Sequence, residues 1–241
     1  MPKKNIINLK TIIIEPGNGF SLIHKTIKMK QTIFLAALIS LSAFTFAQSA
    51  KYEGAMKANI SQLDSLMSKG NYTELANNFT RIGDAEKNQW LPYYYASYCY
   101  TMDALRSQDA STKDPIADKA DSSILKAVAI LGKDNSETAL LKSMIATIRM
   151  TVDPQNRYQE YGPAITDNLQ KSETLDPTNP RPILFEAENK YYTPEAYGGS
   201  KEEAKKLLEK AKVLFDNFKP ASDISPNWGK DALEYFLSQY K

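Results

Sequence analysis

Residues 200–217, SKEEAKKLLEKAKVLFDN, have the clearest helical periodicity in the chain. Lysines and Glu209 fall on one face at this spacing, and apolar or small side chains fall on the other. The apolar face consists of Ala204, Leu207, Leu208, Ala211, Leu214 and Phe215. Ser200 and Glu203 form a capping-box pattern, in which two side chains satisfy free backbone donors at a helix start. This stretch therefore predicts an amphipathic surface helix.

The same helical period extends outward over the chain from Gln48, and no segment shows the alternation typical of a strand. Capping residues stand directly before prolines at Asp114-Pro115, Asn179-Pro180 and Ser225-Pro226, a pattern typical of helix starts. We predict an all-α protein with nine helices, at about residues 51–69, 72–86, 89–108, 115–132, 136–151, 157–175, 180–192, 200–217 and 226–240.

One spacing of small and apolar residues, at offsets of zero, four and seven, recurs along the chain. It is found at Ala120, Ile124 and Ala127, at Ile165, Leu169 and Ser172, and at Ala204, Leu208 and Ala211. Pro177 follows Ser172 by five residues. This combination resembles the second helix of the tetratricopeptide repeat (TPR), and the resemblance covers about residues 70–218. It implies antiparallel helix hairpins stacked into a solenoid, since a single hairpin cannot bury its apolar face.

The N-terminal segment has the parts of a secretory signal peptide. Met29 and Lys30 precede the uncharged run IFLAALISLSAFTF at residues 33–46, and Ala47 supplies a small residue for cleavage. We predict a leader and signal peptide over residues 1–47, with the signal proper at about 29–47 and residues 1–28 as a basic leader or an over-called start. A single TPR-like domain follows over 48–241.

The apolar run is shorter than the roughly 20 residues that span a bilayer, and no cysteine follows it to carry a lipid. We therefore expect a soluble periplasmic or secreted protein with no lipid anchor and no membrane span after export. The leader holds six lysines and one acid, so the rest of the chain is slightly acidic although the whole carries a formal charge of +2. This charge argues against binding to nucleic acid, which needs clustered Lys and Arg.

Residues suited to catalysis are scarce. The one histidine, His24, lies in the leader, which excludes His-based triads and His-containing zinc sites from the mature chain. Cys99 lies between two tyrosines and is interpreted as a small buried hydrophobe. No nucleotide-binding motif is present, so we expect no enzyme, no cofactor and no metal. Carboxylate pairs such as Glu186 with Glu188, or Glu160 with Asp167, leave an envelope hydrolase as an alternative.

Aromatic residues concentrate in two places. The helix over 89–108 carries more rings than one buried stripe holds, so we expect one or two of them to face solvent, and further tyrosines flank the loop before residue 200. Exposed tyrosines suit recognition because they offer a large contact area at little entropic cost; packing between helices is the alternative. The candidate partner-binding residues are Trp90, Tyr94, Tyr98, Tyr191, Tyr192 and Tyr197.

Together these features predict an exported helical-repeat scaffold that binds a protein, a peptide or a glycan in the cell envelope. The alternatives are the carboxylate-based hydrolase and a structural spacer that associates only with copies of itself.

Overall fold

The structure is a computed structural model that describes residues 50–63 and 72–240. The described residues are mainly helical and contain no strand, which confirms the prediction of an all-α protein. The helices are α1 (residues 50–60), α2 (Tyr72–Ala85), α3 (Leu91–Arg106), α4 (Ala110–Leu131), α5 (Ser136–Val152), α6 (Pro154–Leu175), α7 (Pro180–Tyr192), α8 (Lys201–Asn217) and α9 (Lys230–Ser238), with a 3-10 helix at Glu195–Tyr197 between α7 and α8. The predicted leader and signal peptide lie outside the described residues.

The described residues from Tyr52 onward belong to one compact unit. The helices pack mainly against their neighbours in chain order, most extensively α5 against α6, and α3 also contacts α5. No helix in the described part of the chain is both long and apolar enough to cross a membrane.

Two of the three predicted cap–proline starts are wrong. The Asp109 carboxylate accepts a hydrogen bond from Ser111 N at 2.9 Å, so α4 begins at Ala110 and Pro115 lies inside the helix. Ser225-Pro226 starts no helix, because α9 begins only after Gly229, whose φ of 107° is left-handed. The start at Asn179-Pro180 is confirmed, with the Asn179 side chain accepting from Arg181 N.

The capping box predicted at α8 forms only in part. Ser200 Oγ accepts a hydrogen bond from Glu203 N at 3.1 Å, as predicted. The Glu203 carboxylate instead forms an ion pair with Lys190 Nζ at 2.7 Å. This ion pair joins the start of α8 to the end of α7.

The residues at the repeated spacing lie where helices approach closely. Ala120, Ile124, Ala127, Ala204, Leu208 and Ala211 are fully buried. Gly83 of α2 is buried as well, and a Cβ added there would meet Cζ of Tyr93 at 2.8 Å. Small side chains at these positions therefore allow the helix backbones to come together.

The buried apolar residues form two clusters, and α7 contributes to both. Phe185 packs into the larger cluster, which is built mainly from α2 to α5. Ile183, Leu184 and Ala187 pack with Leu208 of α8 and with residues of α9 in the smaller cluster. Because α7 packs against both clusters, the orientation of the helix is fixed, and so is the direction of its other side chains.

A non-helical segment, residues 218–229, joins α8 to α9 and lies against the N-terminal helices. Tyr95 donates its hydroxyl to the carbonyl of Ile224 at 3.1 Å, and Trp228 Nε1 donates to the Tyr94 hydroxyl at 2.8 Å. Asp223 forms an exposed ion pair with Lys57 of α1 at 2.7 Å. We call this stretch the 218–229 segment.

Candidate functional site

The tyrosines of α3 are core residues. Tyr93, Tyr94, Tyr95, Tyr98 and Tyr100 are all buried, and Trp90 is partly buried. Of the rings among which one or two are expected to face solvent, none of the five tyrosines does so, and Trp90 alone is partly exposed. The 218–229 segment is part of the reason, because the Trp228 ring packs on Tyr98 with centroids 4.7 Å apart.

A buried polar network lies next to Tyr94 and centres on Glu137 and Arg181. Glu137 Oε1 accepts from Arg181 Nη2 at 2.5 Å, from Arg181 Nε at 2.9 Å and from Asn179 Nδ2 at 2.7 Å. Its Oε2 accepts from the Tyr94 hydroxyl at 2.6 Å. Burial raises the pKa of Tyr94 well above its ordinary value, with the Glu137 carboxylate adding to the effect.

The Arg181 guanidinium is closed off from solvent by the 218–229 segment. It lies 4.6 Å from the Phe218 ring and 5.7 Å from the Trp228 ring, and the residue is only 2% exposed. Arg181 Nη1 is buried without a hydrogen-bond partner among the described residues, so the guanidinium depends on Glu137 for its compensation. Removing either partner would leave an uncompensated charge in the interior. The network therefore holds α3, α5, α7 and the 218–229 segment together and offers no open surface to a partner.

A group of aromatic rings in mutual contact, two of them exposed, is found instead near the ends of α7 and α9. Tyr191 contacts Tyr192 and Phe236 edge-on, each with centroids 5.2 Å apart, and Tyr240 at 6.1 Å. Phe236 also contacts Tyr192 at 5.6 Å and Tyr235 at 5.3 Å. We call these five residues the α7–α9 aromatic surface.

Burial differs sharply across this surface. Phe236 is buried, whereas Tyr192 is 67% and Tyr235 56% exposed. The inner rings therefore support two outer rings that present large apolar areas to solvent. Rings supported in this way suit stacking against a flat ligand, because little side-chain entropy is lost when they are covered.

The loop between α7 and α8 folds back onto the end of α7. Gly198 has a φ of 88°, and a Cβ on Gly199 would lie 1.7 Å from the Thr193 carbonyl oxygen, so both positions need glycine. Ser200 N donates to the Lys190 carbonyl at 3.0 Å, which folds the loop back onto α7. Tyr197 on this loop is 72% exposed.

Glu188 lies one turn before Tyr192 and is partly buried, with no ion-pair partner among the described residues. Burial raises the pKa of its carboxyl to about 7. The pKa of Tyr192 is also raised, first by burial and then by the charges of Tyr235 and Glu188. Glu188 interacts with Tyr98 as well, so it lies between the α3 core and the α7–α9 aromatic surface.

The structure does not bring Glu186 and Glu188 together as a carboxylate pair. Glu188 lies towards Tyr98 of α3, whereas Glu186 interacts with Glu173 of α6. Residues two apart on a helix point to different sides, which accounts for the separation. This geometry does not favour a hydrolase built on these two acids.

A shallow groove of about 380 Å³ lies on α6, lined by Tyr158, Gln159, Gly162, Pro163, Thr166 and Asp167. All six residues belong to one helix, so the groove has no second wall.

In the described part of the chain, no group of three or more His, Cys, Asp or Glu side chains is arranged to hold a metal ion. Cys99 is fully buried, and burial raises the pKa of its thiol.

The structure therefore divides the six predicted site residues. Tyr94 and Tyr98 are core, and Trp90 packs edge-on against Tyr94 with centroids 5.7 Å apart. Tyr191 and Tyr192 belong to the α7–α9 aromatic surface, and Tyr197 lies on the adjoining loop. Tyr235 and Phe236 are not among the predicted site residues, although the aromatic content of the last helix is a signal for them.

Comparison with known proteins gives one clear relationship. No protein-family model matches the chain, and no curated protein matches it. Among solved structures, the chain is similar to the HusA haemophore from Porphyromonas gingivalis, with 32% sequence identity and a TM-score of 0.70. The match covers 79% of this chain and 92% of that chain. The chain therefore belongs to the same family as the HusA haemophore.

Proposed function

We propose that this protein is an exported, non-catalytic haem-binding protein that holds haem on the α7–α9 aromatic surface. The observation that carries the proposal is the 32% identity to a haemophore over 92% of that protein's length. We assign the binding site to the exposed tyrosines Tyr192 and Tyr235, which both pack on Phe236. No comparable group of exposed rings packed on a shared ring is found elsewhere in the described residues.

The chemistry of the surface fits a flat macrocycle. Haem presents two apolar faces, and tyrosine rings pack well against such faces because of their large area. The only histidine in the sequence is His24, outside the described residues, and Cys99 is buried. Tyrosine is a ligand that haem iron accepts in other proteins, and Tyr192 and Tyr235 are the exposed residues of that type at this surface.

The proposal includes the architecture and export predicted from the sequence. Residues 1–47 act as a leader and signal peptide, and residues 48–241 form one domain of stacked TPR-like helix pairs. The burial of Ala120, Ile124 and Ala127, and of Ala204, Leu208 and Ala211, supports such stacking. Binding of a peptide or a glycan, and self-association, stay predictions from the sequence.

Haem titration of the double variant Tyr192→Ala/Tyr235→Ala tests the site. Both side chains are mostly exposed, so we expect haem affinity to fall about tenfold or more, since each lost ring contact is worth about 0.5–1.5 kcal/mol. The free energy of unfolding should change by less than about 1 kcal/mol, because exposed side chains contribute little to it. Absorbance in the Soret region measures binding, and urea unfolding measures stability.

Tyr158→Ala is the matched control, because Tyr158 is 62% exposed and lines the groove on α6, away from the proposed site. Its haem affinity should equal that of the wild type. Loss of affinity in this control, with none in the double variant, would move the site to α6. A wild-type protein that binds no haem would contradict the proposed function itself.

A further inference from the structure

We infer that Lys201 binds a carboxylate of the ligand, so that the α7–α9 aromatic surface selects flat rings that carry an acidic side chain. This inference rests on the proposed function and adds to it the chemical feature that the site recognises.

The position of Lys201 is fixed at the edge of the aromatic surface. Its Nζ lies 5.2 Å from the centroid of the Tyr191 ring, which in turn is 5.2 Å from the centroid of Tyr192. The distance from the Lys201 ammonium to the centroid of the exposed Tyr192 ring is therefore no more than the sum of these two distances. The Tyr240 hydroxyl donates to the Lys201 carbonyl at 2.8 Å and ties this residue to the same group of rings.

Lys201 lies at this edge and forms no ion pair with an acid among the described residues. Lys190 is paired with Glu203 at 2.7 Å, and Lys206 is paired with Glu202 at 2.8 Å. Lys201 has no carboxylate within 4.0 Å among the described residues. The two acids that follow it in the sequence are thus already engaged, which leaves its ammonium available to an anion from outside.

The backbone at Lys201 favours an anion as well. Lys201 is the first residue of α8, a helix of 17 residues, and free N–H groups at a helix start carry partial positive charge. Haem carries two propionate groups on one edge of its ring. A ring stacked on Tyr192 and Tyr235 with that edge towards Lys201 would place a propionate beside the ammonium, while its apolar part covers the two tyrosines.

The test compares a dicarboxylate porphyrin with its dimethyl ester, using fluorescence titration of the full chain in one buffer of fixed salt and co-solvent. For Lys201→Gln we expect about three- to fivefold weaker binding of the dicarboxylate, the size of one exposed ion pair. For Lys201→Glu, where attraction becomes repulsion, we expect about tenfold weaker binding or more. Neither variant should alter binding of the ester.

Lys210→Gln is the control, since it removes the same charge from an exposed position half a rotation away on α8. It should bind both porphyrins as the wild type does. Equal loss of both ligands in the Lys201 variants, or no loss of the dicarboxylate, would overturn the inference. If the wild type binds neither porphyrin, the proposed function fails instead, so the two failures are distinguishable.

Discussion

Glu188 makes the stability of the fold depend on pH. Its folded pKa of about 7 lies above the ordinary value of 4.5, so the folded state favours the protonated carboxyl. The resulting stabilisation is complete below pH 4.5 and is lost as the pH rises through 7. At about 1.4 kcal/mol per pKa unit, the loss is at most roughly 3.5 kcal/mol. Urea unfolding of the wild type between pH 5 and pH 8 should show this decline.

Glu188→Gln removes the titrating group while keeping the shape of the side chain. We expect this variant to show a flatter dependence of unfolding free energy on pH and to exceed the wild type in stability at pH 8. Exposed Glu195→Gln, on the loop after α7, is the comparison and should keep the wild-type slope. Identical slopes for Glu188→Gln and the wild type would show that another group is responsible.

Single residues also show what the sequence can predict of the site. Tyr191, Tyr192 and Tyr197 flank a loop in the sequence; Tyr191 and Tyr192 belong to the α7–α9 aromatic surface, and Tyr197 is exposed on the loop that follows α7. Tyr94 and Tyr98 lie on a helix with more rings than one buried stripe holds, which favours exposure of some of them. They are buried because Trp228, 134 residues from Tyr94, covers α3 as well.

The helices pack through small residues, and Ala211 of α8 tests this packing. Ala211 is fully buried, so Ala211→Leu should lower the free energy of unfolding by about 1–3 kcal/mol through overpacking, although leucine is the more hydrophobic residue. The control is Val213→Leu two residues further on, where the side chain is 62% exposed and the change should be within about 0.5 kcal/mol. Equal effects of the two substitutions would show that α8 has no close contact at Ala211.

Helix existence was easier to predict than helix starts. The period of apolar residues depends on many positions, whereas a start depends on one side chain reaching a backbone N–H. Asp114 stands before a proline and is a good capping residue, but Asp109 caps α4 in the structure and Asp114 lies inside the helix. Asp114 instead forms hydrogen bonds to the Arg157 guanidinium at 2.9 and 2.8 Å, a contact 43 residues away.

The 218–229 segment connects the two ends of the described unit. Trp228→Ala removes its hydrogen bond to Tyr94 and its contact with Tyr98, and it uncovers part of Arg181. We expect the free energy of unfolding to fall by about 2–4 kcal/mol, since truncation of a well-packed tryptophan costs about 3–5 kcal/mol when burial is complete. We also expect faster tryptic cleavage at Lys219 in native conditions.

Asp223→Ala is the comparison within the same segment. It removes only the exposed ion pair with Lys57, which should contribute less than about 1 kcal/mol. If the two variants lose the same stability, the aromatic contacts of Trp228 do not hold the segment.

For the molecule as a whole, the periodicity of the sequence predicts the all-helical class. It did not predict the path of the 218–229 segment, because that path depends on pairings between residues more than 100 positions apart.

The burial of Cys99 has a practical consequence for work on this protein. It is the only cysteine in the sequence, and its thiol is enclosed between α3 and its neighbours. The folded chain therefore presents no sulfhydryl to maleimides, to oxidants or to a second copy of itself. A cysteine introduced at an exposed position such as Tyr197 becomes a unique attachment point for a fluorescent dye beside the aromatic surface, with no need to remove the native one.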